Sequence, residues 1–112
     1  MIIKFSAHIA AAILVTLAGG AQAGDIPEFN LLIKNHLYEP SELKVPAGTK
    51  IKIRVTNEDA TPEEFESTDF SRESVVLPKH SIVVFVGPLK AGTYGFFGDF
   101  HRDTAQGRLI VE

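Results

Sequence analysis

The chain has 112 residues, no cysteine, one methionine at position 1, and a formal net charge of −3. That length holds one small domain, and mild acidity without a basic patch argues against nucleic acid as a partner. The lack of cysteine excludes a disulfide framework and all thiolate chemistry.

The first 23 residues read as a removable segment. Lys4 precedes an apolar run, Ile9–Ala18, and Ala21-Gln22-Ala23 is a small-x-small cleavage pattern. The run is shorter than the ~20 residues that span a bilayer. The expectation is therefore a secretory signal peptide over residues 1–23 and a mature domain over residues 24–112. Loss of Lys4 takes the net charge to −4, and loss of Met1 leaves a mature chain without sulfur. A domain this small folds alone while burying only ~60–65% of its unfolded surface.

Phe29–Ile33 predicts the first strand, and Glu39-Pro40-Ser41-Glu42 a turn, because proline presets φ and the flanking polar residues favour exposed bends. Leu43–Val45 is a short strand stopped by Pro46. Ile51, Ile53 and Val55 then alternate with Lys50, Lys52, Arg54 and Thr56. This period of two gives one buried and one wet face and predicts an antiparallel sheet member.

Asn57–Ser71 reads as a long connection, with one helical turn near Thr61–Phe65 as its only regular structure. It carries Glu58, Asp59, Glu63, Glu64, Glu66 and Asp69 and no lysine or arginine. Connections beyond ~12 residues are uncommon in compact domains and often functional. Glu73–Leu77 and Ser81–Val86 predict two further strands around Pro78-Lys79-His80. Thr93–Phe97 and Arg108–Val111 predict a terminal hairpin whose polar loop holds Asp99 and His101. Six or seven short strands with regular turn signals indicate an all-β sandwich. Neither a Ser-His-Asp set nor a glycine-rich phosphate loop is present, so hydrolase and nucleotide-binding readings lack support.

His101 is the first candidate for chemistry, since it lies in a loop with Asp99 and Asp103 beside it, and imidazole suits Cu(II), zinc and iron. The alternative is a surface histidine on a turn. Glu63, Glu64 and Glu66 flank Phe65, whose burial would anchor them; they are either a solvated charge run or carboxylates gathered for a cation. His36 shares a face with Tyr38 if the strand there is regular, as a ligand, a supporting hydrogen bonder or a strand-end polar residue. His80 reads as exposed, and the Tyr94 hydroxyl as tied to backbone across a β-arch.

The terminal stretch GTYGFFGDFHRDTAQGRLIV resembles the metal-loop hairpin of cupredoxins. In that likeness Gly98 stands at the thiolate position, His101 at the histidine and Ala105 at the methionine. PSELKVPAGTKIKIRVTNEDATPEEFES, VGPLKAGTY and FFGDFHRDTAQG resemble, more closely, the cysteine-less cupredoxin-like periplasmic proteins associated with bacterial ferrous-iron uptake systems. The resemblance implies a Greek-key β-sandwich or barrel of six to eight strands. It also implies a periplasmic location, Glu64 in place of a histidine ligand with Glu63 and Glu66 beside it, and His36 next to the metal pole. A site built from His101, His36, Asp99 and these glutamates would hold copper or iron in a non-blue centre. The implied role is Fe(II) oxidation or Fe(III) handling beside an iron permease or its periplasmic accessory proteins. The competing reading is a metal-free sandwich acting only as an interaction module of a transport system. Catalysis of ferroxidase type, and pairing of two copies through an edge strand, are left open by the residues.

Overall fold

Alternating apolar and polar residues become strand after strand in the computed structural model, which describes residues 24–112. The expected signal peptide, residues 1–23, lies outside the described residues. The strands are β1 (Glu28–Lys34), β2 (Leu37–Glu39), β3 (Glu42–Val45), β4 (Ile51–Asn57), β5 (Glu63–Ser67), β6 (Arg72–Val76), β7 (Ser81–Val86), β8 (Gly92–Phe97) and β9 (Gln106–Val111). They form a Greek-key sandwich of a four-stranded sheet, ordered β2-β1-β4-β7, and a five-stranded sheet, ordered β3-β9-β8-β5-β6. Leu31, Ile33, Ile53, Val55, Phe65 and Leu109, all fully buried, fill the space between the sheets. Each such side chain contributes about 1.5–3 kcal/mol on leaving water.

The nine strands among the described residues exceed the six to eight expected, and the long connection supplies one of them. Strand β5 runs through Glu63–Ser67, where neither a long loop nor a helical turn was to be found. Its sequence, EEFES, hides the period of two because only Phe65 of its inward set is apolar, although Glu63 and Ser67 are also buried. The β5–β8 ladder is short, with the single pair Glu66–Phe97. Side chains extend it: Ser67 Oγ donates to the Gly95 carbonyl at 2.6 Å, and the Gly95 amide donates to Asp69 Oδ2 at 2.8 Å.

Strand β4 is antiparallel to β7 but parallel to β1, so the expectation of a purely antiparallel member is corrected. Strand β3 crosses to the other sheet, where it runs parallel to β9, and the chain then returns as β4 alongside β1. The alternating pattern reported one wet face correctly but carries no information about neighbour direction.

Asn35 and His36 form a two-residue turn between the paired residues Lys34 and Leu37. Both have positive φ, 53° and 60°, as the favoured tight hairpin turn requires. Their amides donate to the Asp59 carboxylate at 2.8 and 3.0 Å, which fixes a conformation that few residues adopt unaided. His36 is thus a turn residue, and its expected placement on a regular strand face with Tyr38 is corrected.

Candidate metal centre

The loop between β8 and β9 is closed by its own backbone. A 3-10 turn at Asp99–His101 is framed by bonds from Gly98 N to Ala105 O (2.8 Å), His101 N to Gly98 O (3.1 Å) and Ala105 N to His101 O (2.8 Å). Ala105 is fully buried beneath it. His101 is therefore held by a short, internally bonded loop rather than by a mobile one.

Glu63, the first residue of β5, points inward and is 1% exposed. A buried carboxylate needs donors on its oxygens, and three are present. The amides of Glu64 and Phe100 donate to Oε1 at 2.9 and 3.1 Å, and His101 Nδ1 lies 2.5 Å from Oε2. The His36 ring stacks on His101 with centroids 3.7 Å apart and an interplanar angle of 15°, while its Nδ1 lies 3.5 Å from Asp59 Oδ2. One donor atom each from His36, Glu63 and His101 falls within 4.8 Å of the others. Each of the three is positioned by a different element: the β1–β2 turn, the start of β5, and the β8–β9 loop.

Two imidazoles and a carboxylate suit Cu(II) or iron and lack the sulfur of a blue copper site. The buried carboxylate on His101 Nδ1 is also the outer partner that orients a metal-binding histidine and sets its tautomer. Gly98 explains how the carboxylate comes to be there. A Cβ at this position would lie 2.5 Å from Glu63 Cδ and 2.6 Å from Oε1, so the Glu63 carboxylate fills space that any side chain on residue 98 would need.

Glu64, Glu66 and Asp99 are brought together elsewhere. Successive side chains of a strand point to opposite faces, so Glu64 and Glu66 project from the outer side of β5, where their oxygens and one of Asp99 lie within 4.8 Å of one another. The structure thus places Glu63, rather than Glu64, beside His101, and divides the six sequence candidates into two groups of three. The acidic run is not a single cation trap. Asp59 braces the His36 turn, Asp69 bonds the β8 backbone, and Glu58 is exposed. Asn57, fully buried, orders the entry to β5 by donating to the Thr61 and Val76 carbonyls and accepting from the Asp59 amide. These supporting roles were missed, although Asn-x-Asp is a known side-chain-capped turn signal. His80 is exposed, its Nδ1 2.8 Å from the Pro78 carbonyl oxygen, and the Tyr94 hydroxyl donates to Lys90 O at 2.8 Å, both as expected.

Charge states follow from these surroundings. Burial pushes the Glu64 carboxyl above the usual range, and Glu73, Glu66 and Asp99 push it further. Burial also pushes Asp59 up, but the His36 and Asn35 amides outweigh it and hold Asp59 below the usual range. A carboxyl with a raised folded pKa stabilises fully below its unfolded value and loses that contribution as pH rises through the folded one. Without added metal, the melting temperature is accordingly expected to rise as pH falls from 7 toward the ordinary glutamate range. Glu64→Gln should raise it at pH 7 and flatten the slope, as read by calorimetric melts across that window.

A cupredoxin-like domain model matches residues 7–111. An uncharacterized protein of Rickettsia prowazekii (strain Madrid E) is 49% identical over 87 residues, covering 78% of this chain and 70% of the relative. The fold is similar to that of auracyanin A, a blue copper protein of Chloroflexus aurantiacus, with a TM-score of 0.68 and 18% identity over 79% of this chain and all of that one. It is also similar to a purple cupredoxin of Nitrosopumilus maritimus, with a TM-score of 0.59 and 21% identity over 75% of this chain and 99% of that one. Amicyanin of Paracoccus versutus gives a TM-score of 0.61 at 20% identity, over 80% of this chain and 88% of that one. With its two-sheet sandwich and a family match over nearly its whole length, the chain belongs to the cupredoxin-like domain family.

Proposed function

We propose that this chain binds one metal ion, copper(II) foremost, at the pole formed by His36, Glu63 and His101, in a non-blue centre. The observation that carries the reading is the meeting of two imidazoles and a buried carboxylate at one end of the sandwich, in a chain without cysteine. When bound, the ion would supply redox or Lewis-acid chemistry. The protein's part is to hold His101 by Glu63 and His36 by Asp59, so that little ordering is left for binding to cost.

The finer role is periplasmic assistance to iron uptake, by promoting the oxidation of Fe(II) with dioxygen as the electron acceptor, or by receiving Fe(III), before a permease takes it. Its support is the resemblance of the loop sequences, together with donors hard enough for either iron state. A metal-free interaction module is the second reading, favoured by the exposure of Leu37 (46%) and Phe100 (49%), each next in sequence to one of the histidines.

Optical titration with Cu(II) tests the proposal. The loaded protein should show one equivalent bound and only weak visible absorption, without the intense band a copper–thiolate bond produces. It should also accelerate Fe(II) oxidation over buffer. If neither Cu(II) nor either iron state binds, the interaction-module reading takes its place; if copper binds but Fe(II) oxidation is unchanged, only the iron role falls.

A further inference from the structure

Each sheet has two edges, and an edge strand presents a row of backbone N–H and C=O groups with no partner strand. Three of the four edges among the described residues carry features that discourage further pairing. Strand β2 has three residues and runs into Pro40, β3 carries Glu42 and Lys44, and β6 carries Arg72 and Glu73. Strand β7 is the exception. Its six residues, SIVVFV, include no charge and no proline, and Val83 and Phe85 are 39% and 43% exposed. The Asn57 amide donates to the His80 carbonyl at 2.9 Å, which sets the phase of the β4–β7 ladder, because hydrogen-bonded pairs recur at every second residue of an antiparallel pair. Ile82, Val84 and Val86 therefore turn their backbone groups toward β4, and Ser81, Val83 and Phe85 turn theirs away. The Phe85 carbonyl accepts from Arg72 Nε at 2.9 Å, while the N–H and C=O of Val83, at the middle of the strand, face solvent.

We infer that β7 pairs with β7 of a second copy of this chain, antiparallel and centred on Val83, so that two four-stranded sheets become one. That register sets Val83 opposite its own counterpart and Phe85 opposite Ser81 of the second copy. Each of these pairs exchanges both backbone bonds, which satisfies the outward groups of all three residues; the Phe85 carbonyl, with two lone pairs, can keep Arg72 as well. The side chains match in size too, since the bulkiest outward residue of the strand meets the smallest. Centring on Ser81 or Phe85 instead runs the ladder into Pro78 or Pro88, outside the strand. Lys52 and Arg54 stand one strand back, both ion-paired with Glu28, so the meeting edges do not force like charges face to face. Six residues a side fall well short of the ~20–30 of a standard interface, so association is reversible, with a dissociation constant on the order of 10–100 μM. With the other edges protected, the contact closes at two copies about a two-fold axis. The metal pole lies at the Asn57 end of β4, where β7 begins, so the pairing leaves the two poles at opposite ends of the dimer and uses no residue of either.

Sedimentation velocity of the intact chain, at concentrations spanning that constant, should show wild type passing from one chain to two. Residue-resolved hydrogen exchange locates the contact. The Val83 and Phe85 amides should exchange freely in dilute samples and be protected in concentrated ones, whereas the Val84 amide, bonded within the sheet, should be protected in both. Val83→Lys alters a side chain that is already exposed, so it should fold, and it sets two ammonium groups against each other on the two-fold axis. It should weaken dimerisation at least roughly tenfold, while the melting temperature of dilute samples and the Cu(II) titration stay as in wild type. A wild type that remains monomeric throughout overturns the inference, as does a dimer that persists undiminished in Val83→Lys or forms without protecting the Val83 amide.

Discussion

Gly98→Ala is expected to destabilise the protein by about 1–3 kcal/mol through overpacking, and by up to about 5 kcal/mol if Glu63 is driven from its partners. The added methyl would fall 2.5–2.8 Å from three atoms of the Glu63 side chain. Glutamate is ordinarily flexible enough to swing aside, but here it is 1% exposed and tied to His101, Phe100 and Glu64. Moving it leaves a buried charge unanswered. The same geometry predicts rescue: in a Glu63→Ala background, Gly98→Ala should cost little, because the colliding carboxylate is gone. A double-mutant cycle by urea denaturation should show a coupling of about 1–3 kcal/mol, as for residues in contact; additive losses would mean that the two positions do not share space. Gly98→Cys alone should likewise fail to create a blue copper centre.

Metal affinity is expected to follow the inner group of three. His101→Ala should reduce Cu(II) affinity by more than the 10–100-fold typical of removing an outer-shell partner. It takes away a donor and at the same time leaves Glu63 without its imidazole. His36→Ala should have a comparable effect, and Asp59→Asn a smaller one, within that 10–100-fold range, by loosening the turn that presents His36. Glu64→Gln and His80→Ala should leave copper binding at this pole unchanged, because neither side chain faces it. Calorimetric titration distinguishes the cases. Equal losses in Glu64→Gln and His101→Ala would place the ion on the outer face instead.

Much of the fold was legible because hydrophobic alternation is strong in β4, because short apolar runs mark β7 and the end of β9, and because prolines and glycines punctuate the turns. β5 escaped because it spends its inward positions on Glu63 and Ser67 as well as Phe65, so a strand looks like an acidic loop. The candidate site was legible by residue type, with Glu64 expected at the ligand place and Glu63 and Glu66 beside it, whereas the geometry sets Glu63 against His101. His101, His36 and the glutamates were all identified, but choosing Glu63 over Glu64 requires knowing that β5 is a strand, since only then do neighbours separate onto opposite faces. The part of Asp59 was not readable at all, because its partners lie 23 and 24 residues earlier in the chain. A carboxylate that braces a distant turn carries no local signal. Nor could spacing reveal that the glycine at position 98 and the carboxylate at position 63 occupy adjoining space.

Pulsed EPR of the Cu(II)-loaded protein tests the central claim most directly, because the nuclear modulation of imidazole nitrogen reports histidine ligands by count. The wild type should show two coordinated imidazoles, with one lost in His36→Ala and one in His101→Ala, and no sulfur signature. A bound copper without imidazole modulation, or one whose modulation survives in both histidine variants, would contradict the assignment of the site to His36, Glu63 and His101.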